Sequence, residues 1–205
     1  MHLIGEQAIG IFLFVMLAFQ GGSMLICTRR FLQIKPEGRG IVVAENYFNT
    51  AILMLFIPLV AVSLIVGLYQ TLDLTHVPIA IPWLINGLEA IGIALIVFGT
   101  AMVVLGFTAM GTTFQPGGFA PRPHDPLVTR GIYSWVRHPL NAGVLSVTLG
   151  IALAVQSLFV FALFIIYLIL VLRVLSIEEN HLSEVFGEDY RSYSHKVRRI
   201  VPFIY

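Results

Sequence analysis

The feature that most constrains the fold of this chain is how rarely charge interrupts its apolar runs. Of its 205 residues, 58% are hydrophobic and only 11% are charged. An ordinary soluble domain carries about 25% charged residues. A soluble protein of this size cannot bury so much apolar surface, so the composition predicts an all-α integral membrane protein with a single domain, residues 1–205.

The apolar residues fall into four blocks, which cover residues 3–27, 48–69, 82–107 and 142–176. A membrane span needs about 20 apolar residues, so the last block, about 35 residues long, is too long for one span and short for two. Gln156 and Ser157 interrupt that block, which predicts a helical hairpin with a tight turn near Gln156. Five spans result, and Pro58 predicts a kink in the second. Residues 1–107 then hold three spans, and residues 108–205 hold the connector, the hairpin and the tail.

All Lys and Arg residues fall on one side of this arrangement. They are Arg29, Arg30, Lys35, Arg39, Arg122, Arg130, Arg137, Arg173, Arg191, Lys196, Arg198 and Arg199. Basic loops stay in the cytosol. The pattern therefore predicts an outside N-terminus, a cytosolic C-terminus and an odd number of spans. The first apolar run has no basic residue before it and no convincing cleavage site, so we interpret it as a retained span rather than a signal peptide.

Two cytosolic segments carry nearly all of the polar side chains. The connector, residues 108–141, begins with the Gly/Pro-rich stretch GTTFQPGGFAPRPHDP, which is typical of an irregular loop. The tail, residues 177–205, places Leu182, Val185 and Phe186 on one helical face, which predicts an amphipathic helix at the membrane surface. The sequence has no inverted repeat, which disfavours a transporter. The single Cys27 excludes an internal disulfide, and no zinc-type spacing predicts a metal site.

The stretch SWVRHPLNAG, residues 134–143, stands at the mouth of the predicted hairpin and permits two interpretations. In the first, His138 is the N-cap, Pro139 takes the first helical position, and Arg137 lies among lipid headgroups. In the second, the helix N-terminus, together with Arg137 and His138, binds an anionic ligand.

Glu178 and Glu179 close the last predicted span, at a helix C-terminus that disfavours negative charge. They are either solvated at the start of the amphipathic helix, or one of them binds a cation. Because a closed hairpin brings them beside residues 137–139, the two ends together would suit a ligand with both a carboxylate and an ammonium group.

Apolar residues also occur in the polar connector, within DPLVTRGIYSW. Leu127, Val128, Ile132 and Tyr133 either dock the connector onto the helices or line a pocket for a flat aromatic ligand.

Polar and small residues in the third span have structural interpretations. We expect Glu89 to lie at the membrane interface, although acids inside spans are functional candidates. Gly92, Gly99 and Gly106 recur at seven-residue intervals, which predicts close helix packing.

The segment LVTRGIYSWVRHPLNAG, followed by a hydrophobic hairpin and EENHLSEVFGEDYRSYSHKVRRIVPF, resembles the isoprenylcysteine carboxyl methyltransferase family. That family is related to membrane phospholipid methyltransferases, and the similarity covers residues 127–203. The resemblance implies S-adenosylmethionine as cofactor and assigns it several residues. Those implied for cofactor binding are Leu127, Val128, Tyr133, His138, Pro139, Leu140, Asn141 and Glu178, with Glu178 pairing with the ammonium group.

The chain departs from the family pattern at two positions. Asn141 replaces a tyrosine, and Val174 stands where the family has an arginine that acts on the substrate. Arg173 is one residue away, which rotates its side chain by about 100° around the helix. We nevertheless expect Arg173 and Glu179 to act in catalysis. Arg173 would orient a carboxylate acceptor, whereas Glu179 or His138 would take the proton of an amine or thiol acceptor.

The sequence thus predicts a methyltransferase at the cytosolic membrane face that acts on a lipophilic acceptor entering from the bilayer. A prenylcysteine-like carboxylate, a phospholipid amine and a thiol are the alternative acceptors. We expect membrane lipids as partners, but no nucleic acid and no obligate protein partner. The competing predictions are a nicotinamide-dependent membrane reductase, for which the chain is short, and a small transporter or scaffold without catalysis.

Overall fold

A computed structural model describes residues 5–28, 51–72, 81–114 and 124–200 of the chain, with isolated positions between 41 and 48 and between 74 and 79. Several features named above lie outside the described residues. They are the basic positions Arg29, Arg30, Lys35, Arg39 and Arg122, most of the Gly/Pro-rich start of the connector, and the final Pro202–Phe203 pair.

The described part of the chain contains five helices of 9 to 39 residues, which confirms the all-α prediction. They are α1 (Glu6–Thr28), α2 (Ile57–Ile65), α3 (Pro82–Met110), α4 (Pro139–Val155) and α5 (Leu158–Lys196). A π-helix, Ile52–Phe56, leads into α2, a single turn follows at Tyr69–Leu72, and 3₁₀ turns form at Gly111–Thr113 and Gly131–Ser134.

Three of these helices, α1, α3 and α5, are long and apolar enough to cross a membrane. Met54–Ile65 and Pro139–Val155 are shorter apolar helices. Large apolar side chains such as Phe14, Phe98 and Ile169 point outward and are about half exposed. Such a surface fits contact with lipid chains.

The second predicted span is distorted next to Pro58, as expected. A proline lacks an N–H group, and its ring clashes with the carbonyl four residues earlier, here that of Met54. The backbone of Ile52–Phe56 is π-helical just before this proline. Widening the turn at a site where a hydrogen bond is lost is a known way to relieve such a clash.

The predicted hairpin turn lies where the sequence places it. Gln156 ends α4 in the left-handed conformation, with φ of 54°, and Ser157 begins α5 by accepting a hydrogen bond from the Val160 amide at 3.2 Å. Two residues of the loop before α3 contact this turn. The Thr75 carbonyl accepts a hydrogen bond from the Leu158 amide at 3.3 Å, and the Val77 amide donates one to the Gln156 carbonyl at 2.9 Å.

Glycines bring α3 and α4 into backbone contact, which confirms their predicted packing role. A Cβ atom on Gly92 would lie 2.5 Å from the Gly150 carbonyl oxygen, and one on Gly143 would lie 2.6 Å from the Gly99 oxygen. Gly106 faces Leu140 at the start of α4. This contact fixes the position of the α4 N-terminus against the end of α3.

Glu89 faces the helix bundle and is 0% exposed. Residues one turn away on the same helix, Ile85 and Gly92, are buried as well. The expectation that Glu89 lies at the membrane interface stays a prediction, because burial against neighbouring helices does not fix a depth in the membrane.

The predicted C-terminal amphipathic helix is the continuation of α5 rather than a separate element. At 1.5 Å per residue, the 29 residues from Leu158 to the residue before the kink at Gly187 span about 44 Å, more than the hydrocarbon thickness of about 30 Å. The second half of α5 therefore extends beyond the apolar part. The helix is interrupted only at Gly187, with φ of 53° and ψ of −124°, a conformation that strongly favours glycine.

Candidate functional site

The start of α4 is held by the residues that follow α5. The Arg137 amide donates to the Arg198 carbonyl at 2.8 Å, and the His138 amide donates to the Arg199 carbonyl at 3.1 Å. His138 occupies the N-cap position and Pro139 follows as the first helical residue, as predicted, although the His138 side chain makes no capping hydrogen bond. These contacts orient the side chains of residues 137 and 138.

A pocket opens between the end of α3, the connector and the second half of α5. Its empty volume is about 710 Å³, a figure that includes open solvent at the mouth. It is lined by Met110, Thr113, Asp125, Pro126, Leu127, Val128, Tyr133, Arg137, His138, Glu178, Leu182, Phe186, Tyr190 and Tyr193. The lining is apolar and aromatic with a few charged groups, which is typical of a site for a ligand that is partly polar.

The two adjacent glutamates face different surroundings, because successive helical residues are rotated by about 100°. Glu178 lines the pocket. Its Oε2 atom is buried without a hydrogen-bond partner among the described residues, and it lies 3.9 Å from the His138 Nδ1 atom. A buried, unsatisfied carboxylate oxygen is costly, so it suits a ligand that can donate to it.

Glu179 lies outside the pocket lining and contacts three basic side chains. Its Oε1 atom is 2.9 Å from a terminal nitrogen of Arg137 and 3.1 Å from His138 Nε2, and its Oε2 atom is 3.1 Å from Arg199. The carboxylate is therefore saturated by neighbours within the protein. Arg199 also donates to Ser176 Oγ at 3.0 Å, which ties the residues after α5 back to the middle of that helix.

The interpretation of Arg137 as a lipid headgroup contact is wrong. Its side chain is only 13% exposed, and besides Glu179 it donates to the carbonyls of Ser194 at 2.7 Å and Val197 at 2.5 Å. Four of the five N–H groups of a guanidinium are thereby used. Arg137 thus satisfies carbonyls at the end of α5, and one of its N–H groups has no hydrogen bond among the described residues.

Tyrosines form the remaining polar part of the pocket. Tyr133 is buried, its hydroxyl lies 3.9 Å from the Met110 sulfur, and its carbonyl accepts from the Tyr193 hydroxyl at 2.6 Å. Burial, and then the negative charge of Glu178, raises the pKa of Tyr133 well above its usual value, so its hydroxyl stays a donor. The buried Tyr190 hydroxyl has no hydrogen-bond partner among the described residues.

The part of the chain that forms most of this pocket is similar to known proteins. A family model described as "Phospholipid methyltransferase" matches residues 88–189, about half of the chain. The protein-S-isoprenylcysteine O-methyltransferase B of Arabidopsis thaliana is 29% identical over 118 residues, which cover 52% of this chain and 59% of that relative.

The chain belongs to the phospholipid methyltransferase family. The matched region contains α4, most of α3 and most of α5, and thus nearly all of the pocket lining. The chain spans about three fifths of the length of the Arabidopsis relative.

The structure brings five of the predicted cofactor residues together in the pocket, namely Leu127, Val128, Tyr133, His138 and Glu178. It does not bring in Pro139, Leu140 or Asn141. Pro139 is buried, and Leu140 packs against Gly106 instead. The roles of these residues stay predictions.

The two predicted catalytic residues lie outside the pocket lining. Arg173 is exposed on the same face of α5 as Ile166 and Ile169, whereas Val174, at the family's arginine position, is buried. Glu179 points into the cluster of basic side chains. The catalytic roles of Arg173 and Glu179 stay predictions.

Several pocket residues were not predicted individually. Tyr190, Tyr193 and Phe186 belong to the motif F-G-x-x-Y-x-x-Y, so the resemblance contained a signal for them. Leu182 and Phe186 were expected to face the membrane surface, but they face the pocket, whereas Val185 is 47% exposed. Met110 and Thr113 had no sequence signal, because only the fold brings the end of α3 to this site.

Proposed function

We propose that the protein is a methyltransferase that uses S-adenosylmethionine to methylate a lipophilic acceptor at the cytosolic face of the membrane. The observation that carries this proposal is the buried Glu178 Oε2 atom, which has no hydrogen-bond partner among the described residues and lies in the pocket 3.9 Å from His138 Nδ1. Membership of the phospholipid methyltransferase family and the similarity to an isoprenylcysteine methyltransferase support it.

The residues of the pocket fit the two ends of such a cofactor. The methionine part of S-adenosylmethionine carries an ammonium and a carboxylate. Glu178 would accept hydrogen bonds from the ammonium, and His138 with the free N–H group of Arg137 would hold the carboxylate. Leu127, Val128 and Phe186 offer apolar surface for the adenine ring.

The bound cofactor supplies a methyl group on a positively charged sulfur atom, ready for direct displacement by a nucleophile. The protein's own residues have mainly to orient this group, exclude water and present the acceptor. Correct orientation of two reactants contributes about 7–11 kcal/mol to lowering a barrier. The rigid glycine-packed junction of α3 and α4 supports such orientation at His138.

The acceptor would arrive sideways from the bilayer, while the polar cofactor enters from the cytosol. Arg173 lies on the outward apolar face of α5. We therefore propose that it contacts the acceptor outside the pocket, before the acceptor enters it. A carboxylate acceptor, such as a prenylcysteine, needs no base. An amine or thiol acceptor has to lose a proton, for which His138 is the pocket residue of suitable chemistry.

The experiment that tests the proposal follows a labelled methyl group from S-adenosylmethionine to a panel of prenylcysteines, phospholipids and hydrophobic thiols, using the purified full chain in lipid nanodiscs. We expect transfer to one class. Absence of transfer to every class, together with absence of S-adenosylhomocysteine binding, would contradict the proposal. Arg173→Ala should reduce turnover more than it reduces S-adenosylhomocysteine affinity, and equal losses would argue against its acceptor role.

The rival functions are separated by ligand-dependent thermal stability. S-adenosylhomocysteine should raise the unfolding temperature of the purified protein, because a ligand that binds only the folded state stabilises it. NADPH should have no effect. Stabilisation by NADPH alone would favour a reductase, and no stabilisation by either would favour a transporter or scaffold.

A further inference from the structure

Glu179 and the basic residues around it suggest why the chain carries two adjacent glutamates. Three basic side chains, Arg137, His138 and Arg199, lie within 3.1 Å of the Glu179 carboxylate oxygens. Two of these, Arg137 and His138, also line the pocket that contains Glu178. Both are therefore close enough to the pocket to compete for the Glu178 carboxylate.

The observed distances show how this competition is resolved. His138 Nε2 lies 3.1 Å from Glu179, whereas His138 Nδ1 lies 3.9 Å from Glu178 and makes no hydrogen bond to it. Arg137 directs two N–H groups to a single oxygen of Glu179, at 3.2 and 2.9 Å. The Glu178 Oε2 atom is left without a hydrogen-bond partner among the described residues.

We propose that Glu179 is a positioning residue that occupies the neighbouring basic side chains of Arg137 and His138 and so keeps the Glu178 carboxylate available to the ligand's ammonium group. Without the charge of Glu179, the Arg137 guanidinium or the His138 ring would turn to Glu178, since a largely buried charge or donor that loses its partner is costly. The adjacent glutamates thus have separate tasks, one toward the ligand and one toward the protein. This inference rests on the proposed function and goes beyond it by removing Glu179 from the chemical step.

A pair of substitutions separates charge from shape. Glu179→Gln keeps the size of the side chain but removes its charge, and Glu179→Asp keeps the charge but shortens the side chain. We expect Glu179→Gln to weaken S-adenosylhomocysteine binding at least tenfold and Glu179→Asp to weaken it less than threefold, both measured by titration calorimetry in detergent. In methyl-transfer assays, Glu179→Gln should raise the cofactor KM and change kcat less than threefold.

The matched control is Glu188→Gln on the same helix, because Glu188 is 84% exposed and pairs only with Arg191 among the described residues. It should bind as the unchanged protein does. Wild-type affinity in Glu179→Gln, or a larger loss in Glu179→Asp than in Glu179→Gln, would overturn the positioning role, since the latter order indicates packing rather than charge.

A second variant tests the same idea if Glu179→Gln does not fold. Arg199→Gln removes a cation and leaves Glu179 charged, so affinity should change less than threefold. A tenfold loss with an unchanged unfolding temperature would show that Arg199 itself holds the ligand, which overturns the inference. If the unchanged protein binds no S-adenosylhomocysteine, the proposed function fails as well. If only Glu178→Gln loses affinity, this inference fails alone.

Discussion

The direction in which a helix points a side chain decides what that side chain contacts in this protein. Glu178 and Glu179 are chemically identical and adjacent, yet one lines the pocket and the other lies among three basic groups. From the sequence we predicted that one of the pair contacts a cofactor. The direction of each side chain could not be predicted, because it depends on the rotation of α5 relative to α4.

Arg137 was expected among lipid headgroups but is largely buried in the structure, and a substitution tests this difference directly. Arg137→Gln removes the donors to the Ser194 and Val197 carbonyls and one counter-ion of Glu179. We expect the free energy of unfolding to fall by about 2–4 kcal/mol, since a largely buried ion pair is broken and two carbonyls at the end of α5 lose their donor.

Chemical denaturation in detergent micelles measures this change, with Arg191→Gln as the control because Arg191 is 63% exposed. An exposed pair contributes little. If Arg137→Gln were no more destabilising than Arg191→Gln, Arg137 would be a surface residue after all.

At the scale of helices, the seven-residue spacing of glycines in α3 correctly predicted a close contact with another helix. Residues seven apart on a helix share a face, and three glycines on one face allow a close neighbour. The partner helix was not predictable from this spacing, since Gly143 and Gly150 on α4 complete the contact. Likewise, the apolar face of the tail was visible, but whether it covers a membrane or a pocket was decided by tertiary packing.

The α3–α4 contact should tolerate no added methyl group. Gly99→Ala places a Cβ against the Gly143 carbonyl and the Val147 side chain, so we expect a loss of about 1–3 kcal/mol in unfolding free energy. Because the same contact positions His138, affinity for S-adenosylhomocysteine should fall as well.

Gly87→Ala is the matched control on α3, since a Cβ there meets no atom within 4 Å. It should be neutral or slightly stabilising, as alanine favours helix more than glycine does. Equal thermal midpoints for the two variants would contradict a packing role for Gly99.

For the whole molecule, composition alone predicted an integral membrane protein, because a chain with so few charged residues has few alternatives to a lipid environment. The apolar blocks and the interruption at Gln156 predicted five spans, whereas three helices of the described part are long enough to cross a membrane and two apolar helices are shorter. The direction of insertion rests on the distribution of basic residues and stays a prediction.

Cysteine labelling tests that direction. In a Cys27→Ser background, Leu74→Cys introduces a thiol in the loop before α3, where Leu74 is 94% exposed, and Lys196→Cys introduces one at the end of α5. A membrane-impermeant maleimide applied to intact cells should label the first and should label the second only after permeabilisation. The reverse pattern would place the pocket on the outer side.

The central claim is that Glu178 holds the ammonium group of a bound cofactor, and calorimetry of S-adenosylhomocysteine binding to Glu178→Gln tests it most directly. We predict at least a tenfold loss of affinity with no loss of thermal stability, because Glu178 Oε2 has no hydrogen-bond partner among the described residues to lose. Glu188→Gln should bind as the unchanged protein does. Unchanged affinity in Glu178→Gln would contradict the claim and remove this carboxylate from the site.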